Sequence, residues 1–554
     1  MLYPKLKLPA AELRQRSLST FQVLFLIFIL TYIPNSSSLA FEHEKLSVKF
    51  LDYSPASFET AKKQKKPVFI LISAEWCHWC KVFKEKTLIK EKVYSFLNER
   101  FINIFVDAEI RRDLYVKFQA VGLPYIVLTK PDGTIFYKYS GTLYADDFLG
   151  FLKAVYKDAK TVKEVRKDFK DALKDEGKEE FYLPPHKIEI DRIDRLKNTF
   201  IETVLENFDK EEYGIGAGIK YLMPATFLYL IEKTGTVKNN SALMHVRGTL
   251  NKAVQNIYDP VDGGFFRYAE TYRWEKPHFE KMINVNAAAV ILLLKLNEIE
   301  QSELLKDTAL KTISYLSLNL FDHSSRTFLS FQVADTSYYS LNKKNRLKRP
   351  GPPVVKKVFT DRLSSALIYL LESLKYLDDP SFEKKVKQSV DFFASMVAGS
   401  KKVYHYYSIS SQKWSTPDQL PDYVNLSRMF LIASKTFNDP KYLSLSKKLS
   451  EDMITKFHDK KLNIFLEKFP RNIKDIEYLL EINSLIALTW LGYPTVELEQ
   501  SRLKMLTGIF TYFSGVNQIF EDSLWEPGNW RFLDKYVPFL KASEIYINRY
   551  GFSE

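Results

Sequence analysis

The chain holds only two cysteines, Cys77 and Cys80, three residues apart in the stretch SAEWCHWCKVF (73–83). Two thiols at this spacing can serve as half of a zinc site, as a structural disulfide or as a redox pair. Zinc needs two further ligands, but no other cysteine exists and the eight histidines show no paired spacing. A disulfide spanning one turn closes almost no loop, so it removes little entropy from the unfolded chain. Redox chemistry asks only for the pair and its placement, and it is the favoured reading. PVFILIS (67–73) is a short buried-strand run, and a helix is predicted from about Cys77 to Asn98. Cys77 then lies at a helix N-terminus, where unpaired N–H groups and the helix dipole favour a thiolate. Cys80 lies one turn inside, placed to attack a mixed disulfide formed at Cys77.

The elements around the pair alternate. FINIFVDA (101–108) reads as a strand, 110–120 as a helix, 125–141 as a hairpin turning at Pro131-Asp132-Gly133, and 146–159 as an amphipathic helix. Residues 41–156 are therefore predicted to form an α/β domain with helices against a sheet. AEWCHWCK, with VGLPYIVLTKPDG (121–133), resembles the two active-site segments of thioredoxin-fold proteins. That resemblance implies Cys77 as nucleophile, Cys80 as resolving thiol and Pro124 as a cis-proline substrate platform, with Trp76, His78 and Trp79 in support. Two departures stand out. Thioredoxins carry a buried aspartate six residues before the first cysteine, where this chain has Leu71; and His78-Trp79 replaces their Gly-Pro. A cationic His78 would stabilise the thiolate, which predicts a couple more oxidising than thioredoxin.

At 554 residues the chain is long for one core, and 15% aromatic content with net charge +13 accompanies no nucleic-acid motif. Lys5, Lys7, Arg14 and Arg16 precede the apolar run FQVLFLIFILTYI (21–33), and Ser38 and Ala40 suit a signal-peptidase cut. Thirteen residues are short for a bilayer span, so residues 1–40 read as an export signal to a periplasmic or other extracytoplasmic compartment. The alternative is an uncleaved anchor at 21–33, the one membrane contact expected. Residues 157–190 read as a charged linker.

From 191 to 554, helical patterns recur in pairs: 192–208, 224–233, 241–257, 283–299, 303–318, 361–377, 382–397, 423–437, 440–456, 475–491, 496–513 and 539–549. Six pairs with almost no strand between them predict a closed (α/α)6 toroid; an open solenoid is the alternative, disfavoured because no repeated signature is evident. The fold class is thus multidomain, an N-terminal thioredoxin-like α/β fold followed by an all-α toroid. DPVDGGFFRYAETYRWEKPHFEKM (259–282) resembles the signature of the spermatogenesis-associated thioredoxin-like family, whose helical part is similar to N-acylglucosamine 2-epimerases and helical glycosidases. Cys-His-Trp-Cys is also that family's active-site sequence. The family's Thr-Ser-Trp-Asn-Gly is replaced by Thr360-Asp361-Arg362-Leu363-Ser364.

A toroid ligand site could draw on Arg267, Tyr268, Trp274, His278, Glu280 and Lys281, with Tyr268 and Trp274 stacking on a sugar and His278 and Glu280 as acid and base. Glycosidase chemistry needs two carboxylates across a cleft, and Asp262, Glu280, Asp361 and Asp422 are candidates. The competing reading has Gly263-Gly264 form a tight hairpin held by buried ion pairs. KKNRLKRPGPP (343–353) reads as a basic, solvated loop. The expected activity is thiol–disulfide exchange with protein thiols, without metal or other cofactor, and with a toroid that binds a partner or glycan. The alternative is a sugar-binding or sugar-processing toroid carrying a structural or regulatory thioredoxin-like domain.

Overall fold

The computed structural model describes residues 47–120, 122–161, 190–233, 241–467, 473–494, 500–524 and 533–550. The expected signal or anchor (1–40) and most of the expected linker lie outside them. Among the described residues, no helix is long and apolar enough to cross a membrane.

The first region runs β1 (Phe50–Asp52), α1 (Pro55–Gln64), β2 (Val68–Ser73), α2 (His78–Phe83), α3 (Glu91–Arg100), β3 (Ile102–Asp107), α4 (Arg112–Lys117), β4 (Tyr125–Thr129), β5 (Ile135–Ser140) and α5 (Ala145–Thr161). The five strands lie in the order β1-β3-β2-β4-β5. The first three are parallel, and β4 and β5 run antiparallel to β2 and β4 respectively. β2 is buried on both sides. Val68, Ile70 and Ile72 feed the apolar layer that holds the cysteines, while Phe69 and Leu71 feed the layer with Phe83, Leu97 and Phe148. Leu71, at the position of the thioredoxin aspartate, is thus an ordinary core residue. Two expectations change. β1 and α1 precede the predicted first strand, and the helix predicted from Cys77 to Asn98 is two helices separated by a wide turn at Lys84–Leu88. The hairpin turn is as expected, with Gly133 at φ +91° and the Asp132 carboxylate accepting the Thr134 N–H.

The second region contains twelve long helices among the described residues: α6 (Ile190–Glu206), α7 (Pro224–Lys233), α8 (Ser241–Asn256), α9 (Ile283–Glu300), α10 (Glu303–Tyr315), then, after the short α11 (Thr336–Tyr339) and α12 (Lys343–Arg346), α13 (Thr360–Ser373), α14 (Pro380–Gly399), α15 (Leu420–Thr436), α16 (Pro440–Phe457), α17 (Ile473–Leu491), α18 (Gln500–Leu524) and α19 (Leu533–Tyr550). α7, α9, α13, α15, α17 and α19 each pack on the next, and α19 packs back on α7, which closes the ring. The remaining helices form the outer layer. α9 shows why it lies inside: Ala287 to Leu294 is one unbroken buried apolar run, so no polar face remains for water. Asp379 and Asp439 cap α14 and α16, each before a proline at the first turn.

Closure excludes the solenoid, but a repeated signature does exist. Phe208-Asp209, Tyr258-Asp259, Phe321-Asp322 and His458-Asp459 each follow an outer helix and pair with a residue seven positions on, at Ile215, Phe265, Phe328 and Phe465. In each loop the aspartate accepts backbone N–H groups of its own turn. The repeat is two side chains wide with variable residues between, too sparse to stand out in the sequence.

The expectation of almost no strand in this region also needs correction. β6 (Lys357–Phe359), β7 (Tyr404–Ser408) and β8 (Lys413–Pro417) form an antiparallel sheet at the ring's mouth.

Candidate functional site

Cys77 is the N-cap of α2. Its backbone is extended (φ −75°, ψ 115°), and its Sγ accepts the Cys80 N–H at 3.1 Å. The two cysteines form a disulfide with Cα atoms 5.3 Å apart. The pairing of Ile72 with Tyr125 sets Pro124 beside the end of β2 that leads into the site, and the Leu123–Pro124 bond is cis. Asp107, at the end of β3 opposite Ser73, is a half-buried carboxylate with no role assigned from sequence. Burial raises its pKa to about 6, against the pull of Lys357.

The cysteine face is covered by the toroid. Cys77 and Cys80 are only 4% and 3% exposed, and they share an apolar cluster with Met282, Phe331, Val355 and Phe359 of the second region. Trp76 packs near Phe331 and beneath the Arg267 guanidinium, 4.5 Å from its ring centre. The His78 backbone N–H donates to the buried Glu280 carboxylate at 3.2 Å. Trp79 alone of the motif is exposed.

Polar contacts surround this seam. Lys357 pairs with Glu75 at 2.8 Å, Arg112 with Asp361 at 2.6 Å, and Arg362 with Glu109 at 3.2 Å. His405 Nε2–H donates to the Glu109 carbonyl at 2.7 Å, while its Nδ1 faces Asp422 at 3.0 Å. Burial opposes charge on His405, but Asp422 and Asp361 outweigh it and raise its pKa to about 9. The imidazole is then a cation donating from both nitrogens. Donor atoms of Asp361, His405 and Asp422 lie within 4.8 Å of one another, a metal-like spacing. In this structure those groups are paired with one another and with the first domain, Asp422 with His405 and Asp361 with Arg112.

The predicted toroid residues therefore part into three places. Arg267, Tyr268, His278 and Glu280 stand at the redox face. His278 Nε2 meets Glu270 at 2.8 Å and Tyr268 Oη at 3.1 Å, and its Nδ1 lies 3.5 Å from Glu280. Burial opposes the charge on His278, yet the two glutamates hold its pKa above the ordinary value. Asp361 and Asp422 belong to the docking seam.

Trp274 and Lys281 are turned into the core. The Trp274 indole is fully buried and donates to the Glu212 carbonyl, so it offers no face to a sugar. Lys281, also buried, donates to Asp259 and the Gly263 carbonyl, with Arg346 joining Asp259 and Asp262. This is the structural reading of the Gly263-Gly264 hairpin. Both glycines have φ +79°, and a Cβ at Gly264 would lie 2.5 Å from Tyr315. Arg346 also corrects the reading of 343–353 as a purely solvated loop, since its guanidinium anchors that segment in the core. A surface depression of about 560 Å³, lined by Arg326, Asp391, Phe392 and Trp414 among others, includes none of the candidate residues.

His405, Glu109, Arg112 and Arg362 were missed from sequence. The signal for His405 was the alternation in Tyr404–Ser408, visible only once that segment is recognised as a strand.

His78 departs from the cationic role expected of it. Burial lowers its pKa more than Glu280 raises it. In the docked state the motif therefore gains no positive charge from His78.

The class so defined is a thioredoxin-like domain set, cysteine face inward, on the mouth of an (α/α)6 toroid. Residues 31–179 match the family model Thioredox_DsbH, a protein of unknown function, DUF255. The chain is 26% identical over 331 residues to spermatogenesis-associated protein 20 of Rattus norvegicus, and over the same length to that of Homo sapiens. Each alignment covers 55% of this chain and 41% of the relative, so the match spans well under half of those proteins. The cellobiose 2-epimerase of Bacillus thermoamylovorans superposes with a TM-score of 0.50 at 11% identity, over 64% of this chain and 99% of its own. At that identity the likeness shows the fold alone.

Proposed function

We propose that the chain is a thiol–disulfide oxidoreductase acting on protein thiols and disulfides through Cys77 and Cys80, with the toroid as the body on which the redox domain rests closed. The observation that carries this reading is the setting of Cys77, an N-cap sulfur that accepts the Cys80 N–H beside Pro124. In the oxidising direction a substrate thiolate attacks the Cys77 sulfur, and the S–S electron pair leaves with Cys80. A second substrate thiolate then attacks the mixed disulfide, releasing the substrate as a disulfide and leaving the Cys77–Cys80 dithiol. Substrate reduction is the same sequence reversed, with Cys77 attacking and Cys80 resolving.

A protein substrate reaches these sulfurs only after the domain lifts from the mouth, because toroid side chains close the apolar cluster around them. On this reading the apolar run 21–33 would carry the protein to an oxidising compartment, where such exchange persists. The sugar-processing alternative needs a free mouth, whereas Glu280 and Asp361 are bonded to the first domain here.

The test is insulin reduction and disulfide-isomerase activity of the full chain and of Cys77→Ser, with Cys80→Ser to trap a mixed disulfide. Activity lost in Cys77→Ser and a trapped adduct on Cys77 are expected. No Cys77-dependent turnover, even in a variant loosened at the docking seam, would remove the proposal.

A further inference from the structure

We infer that Glu280, a toroid residue, is a positioning residue of the redox pair, holding reduced Cys77 as a thiol for as long as the domains stay docked. The inference rests on the redox reading above. It starts from competition for one end of a helix. The N–H groups at the start of α2 are the groups that would stabilise a Cys77 thiolate. One of them, on His78, is already donated to Glu280 at 3.2 Å. That carboxylate brings a second negative charge to the residue adjoining Cys77, and it is only 1% exposed, so water screens it poorly. A thiolate forming beside it meets like charge and has lost a donor, and both effects raise the thiol pKa.

The groups around Glu280 keep it ionised. Burial opposes its charge, but His278 and then Arg267 outweigh this and hold its pKa below the ordinary value. His278 is itself partnered by Glu270. From the redox domain, Lys81 adds a positive charge on α2, while Glu75 is paired with Lys357 and Glu109 with Arg362. His78 is held neutral by burial. Replacing Glu280 by glutamine keeps an acceptor for the His78 N–H and leaves Arg267, Lys81 and the His278–Glu270 pair in place, so the potential at Cys77 turns more positive. The thioredoxin-like region has Leu71 where an internal acid would stand. The redox domain's own Asp107, opposite Ser73, faces Lys357. The acid bonded to the residue adjoining Cys77 is thus contributed by the toroid, and it is withdrawn when the domains part.

The experiment is a pH profile of iodoacetamide alkylation at Cys77 in the reduced full chain, read by mass spectrometry. Glu280→Gln is expected to move the midpoint down by about one unit, which is about tenfold faster alkylation at pH 7, with the high-pH plateau unchanged. Glu280→Asp, which retains the charge, is expected to restore most of the wild-type midpoint. A plateau that rises with no midpoint shift would mean that Glu280 is only a clip between domains, and would overturn the inference, as would an unchanged profile. Should Glu280→Gln fail to fold, Arg267→Met supplies the opposite sign: it removes the cation facing Glu280 while retaining bulk over Trp76, and must raise the midpoint. No rise would be equally fatal. These outcomes leave the oxidoreductase proposal standing, since it falls only if Cys77-dependent turnover is absent.

Discussion

Arg112 joins the thioredoxin-like domain to the ring most directly, and its removal has a calculable consequence. Its guanidinium donates at 2.6 Å to Asp361, whose side chain is 5% exposed against 37% for the arginine. Breaking a fully buried pair costs about 3–5 kcal/mol. Solvent at the arginine, and a second cation on Asp361, Arg362 at 3.9 Å, reduce this to about 2 kcal/mol. At about 1.4 kcal/mol per decade, Arg112→Ala raises the undocked population roughly 30-fold. Because the docked state covers both sulfurs, reduction of Cys77–Cys80 by a protein dithiol such as reduced thioredoxin follows that population. The assay is acid-quenched thiol labelling of the full chain at pH 7, with circular dichroism to confirm that both proteins are folded. A rate roughly 30-fold faster than wild type is expected. Rates equal within about twofold would refute the claim that docking gates the pair.

The ring itself has a pH signature. His405, raised to about 9 in the folded chain from an unperturbed value near 6.5, contributes folding stability that is fully present below about pH 6.5 and lost as pH rises through 9. Asp422, raised to about 6 by burial, is ionised throughout the upper part of this window and adds little slope above pH 7. Because Asp422 and Asp361 belong to the same ring as His405, the readout is thermal unfolding of the full chain: the midpoint should fall between pH 7 and 9.5 more steeply than in His405→Gln, and an identical slope in both would contradict it. Lys281→Met, close in volume, leaves the buried Asp259 with Arg346 alone, and is expected to cost about 3 kcal/mol. Thermal unfolding several degrees below wild type would show this, and an unchanged midpoint would not fit a structural role for Lys281.

Much of the architecture is legible in local pattern. The helical periods fall close to most of the observed helices because each outer helix keeps its own buried stripe, which 3.6-residue spacing records, while an inner helix such as α9 reads as a long apolar run. The cysteine pair is legible for the same reason: a strand run ending just before it sets Cys77 at a helix start. The mouth strands Lys357–Phe359, Tyr404–Ser408 and Lys413–Pro417 were not, since short strands are defined by partners distant in sequence. Of the residues 259–282, composition and spacing mark a dense polar loop but cannot say which side chains face inward. Trp274 and Lys281 turned out to be core, whereas Glu280 meets the redox pair.

The sequence by itself determined the placement of the two cysteines at a helix start, the order of elements and the ring of helix pairs, each a property of residues near one another along the chain. Only the tertiary structure decided where the cysteines face. Glu280 lies 202 residues from His78 and Asp361 lies 249 from Arg112, and no local pattern records a contact across such distances. That placement follows from ring closure, which fixes the mouth, and from the burial of Trp76 with Phe331 and Phe359, which sets the redox face upon it.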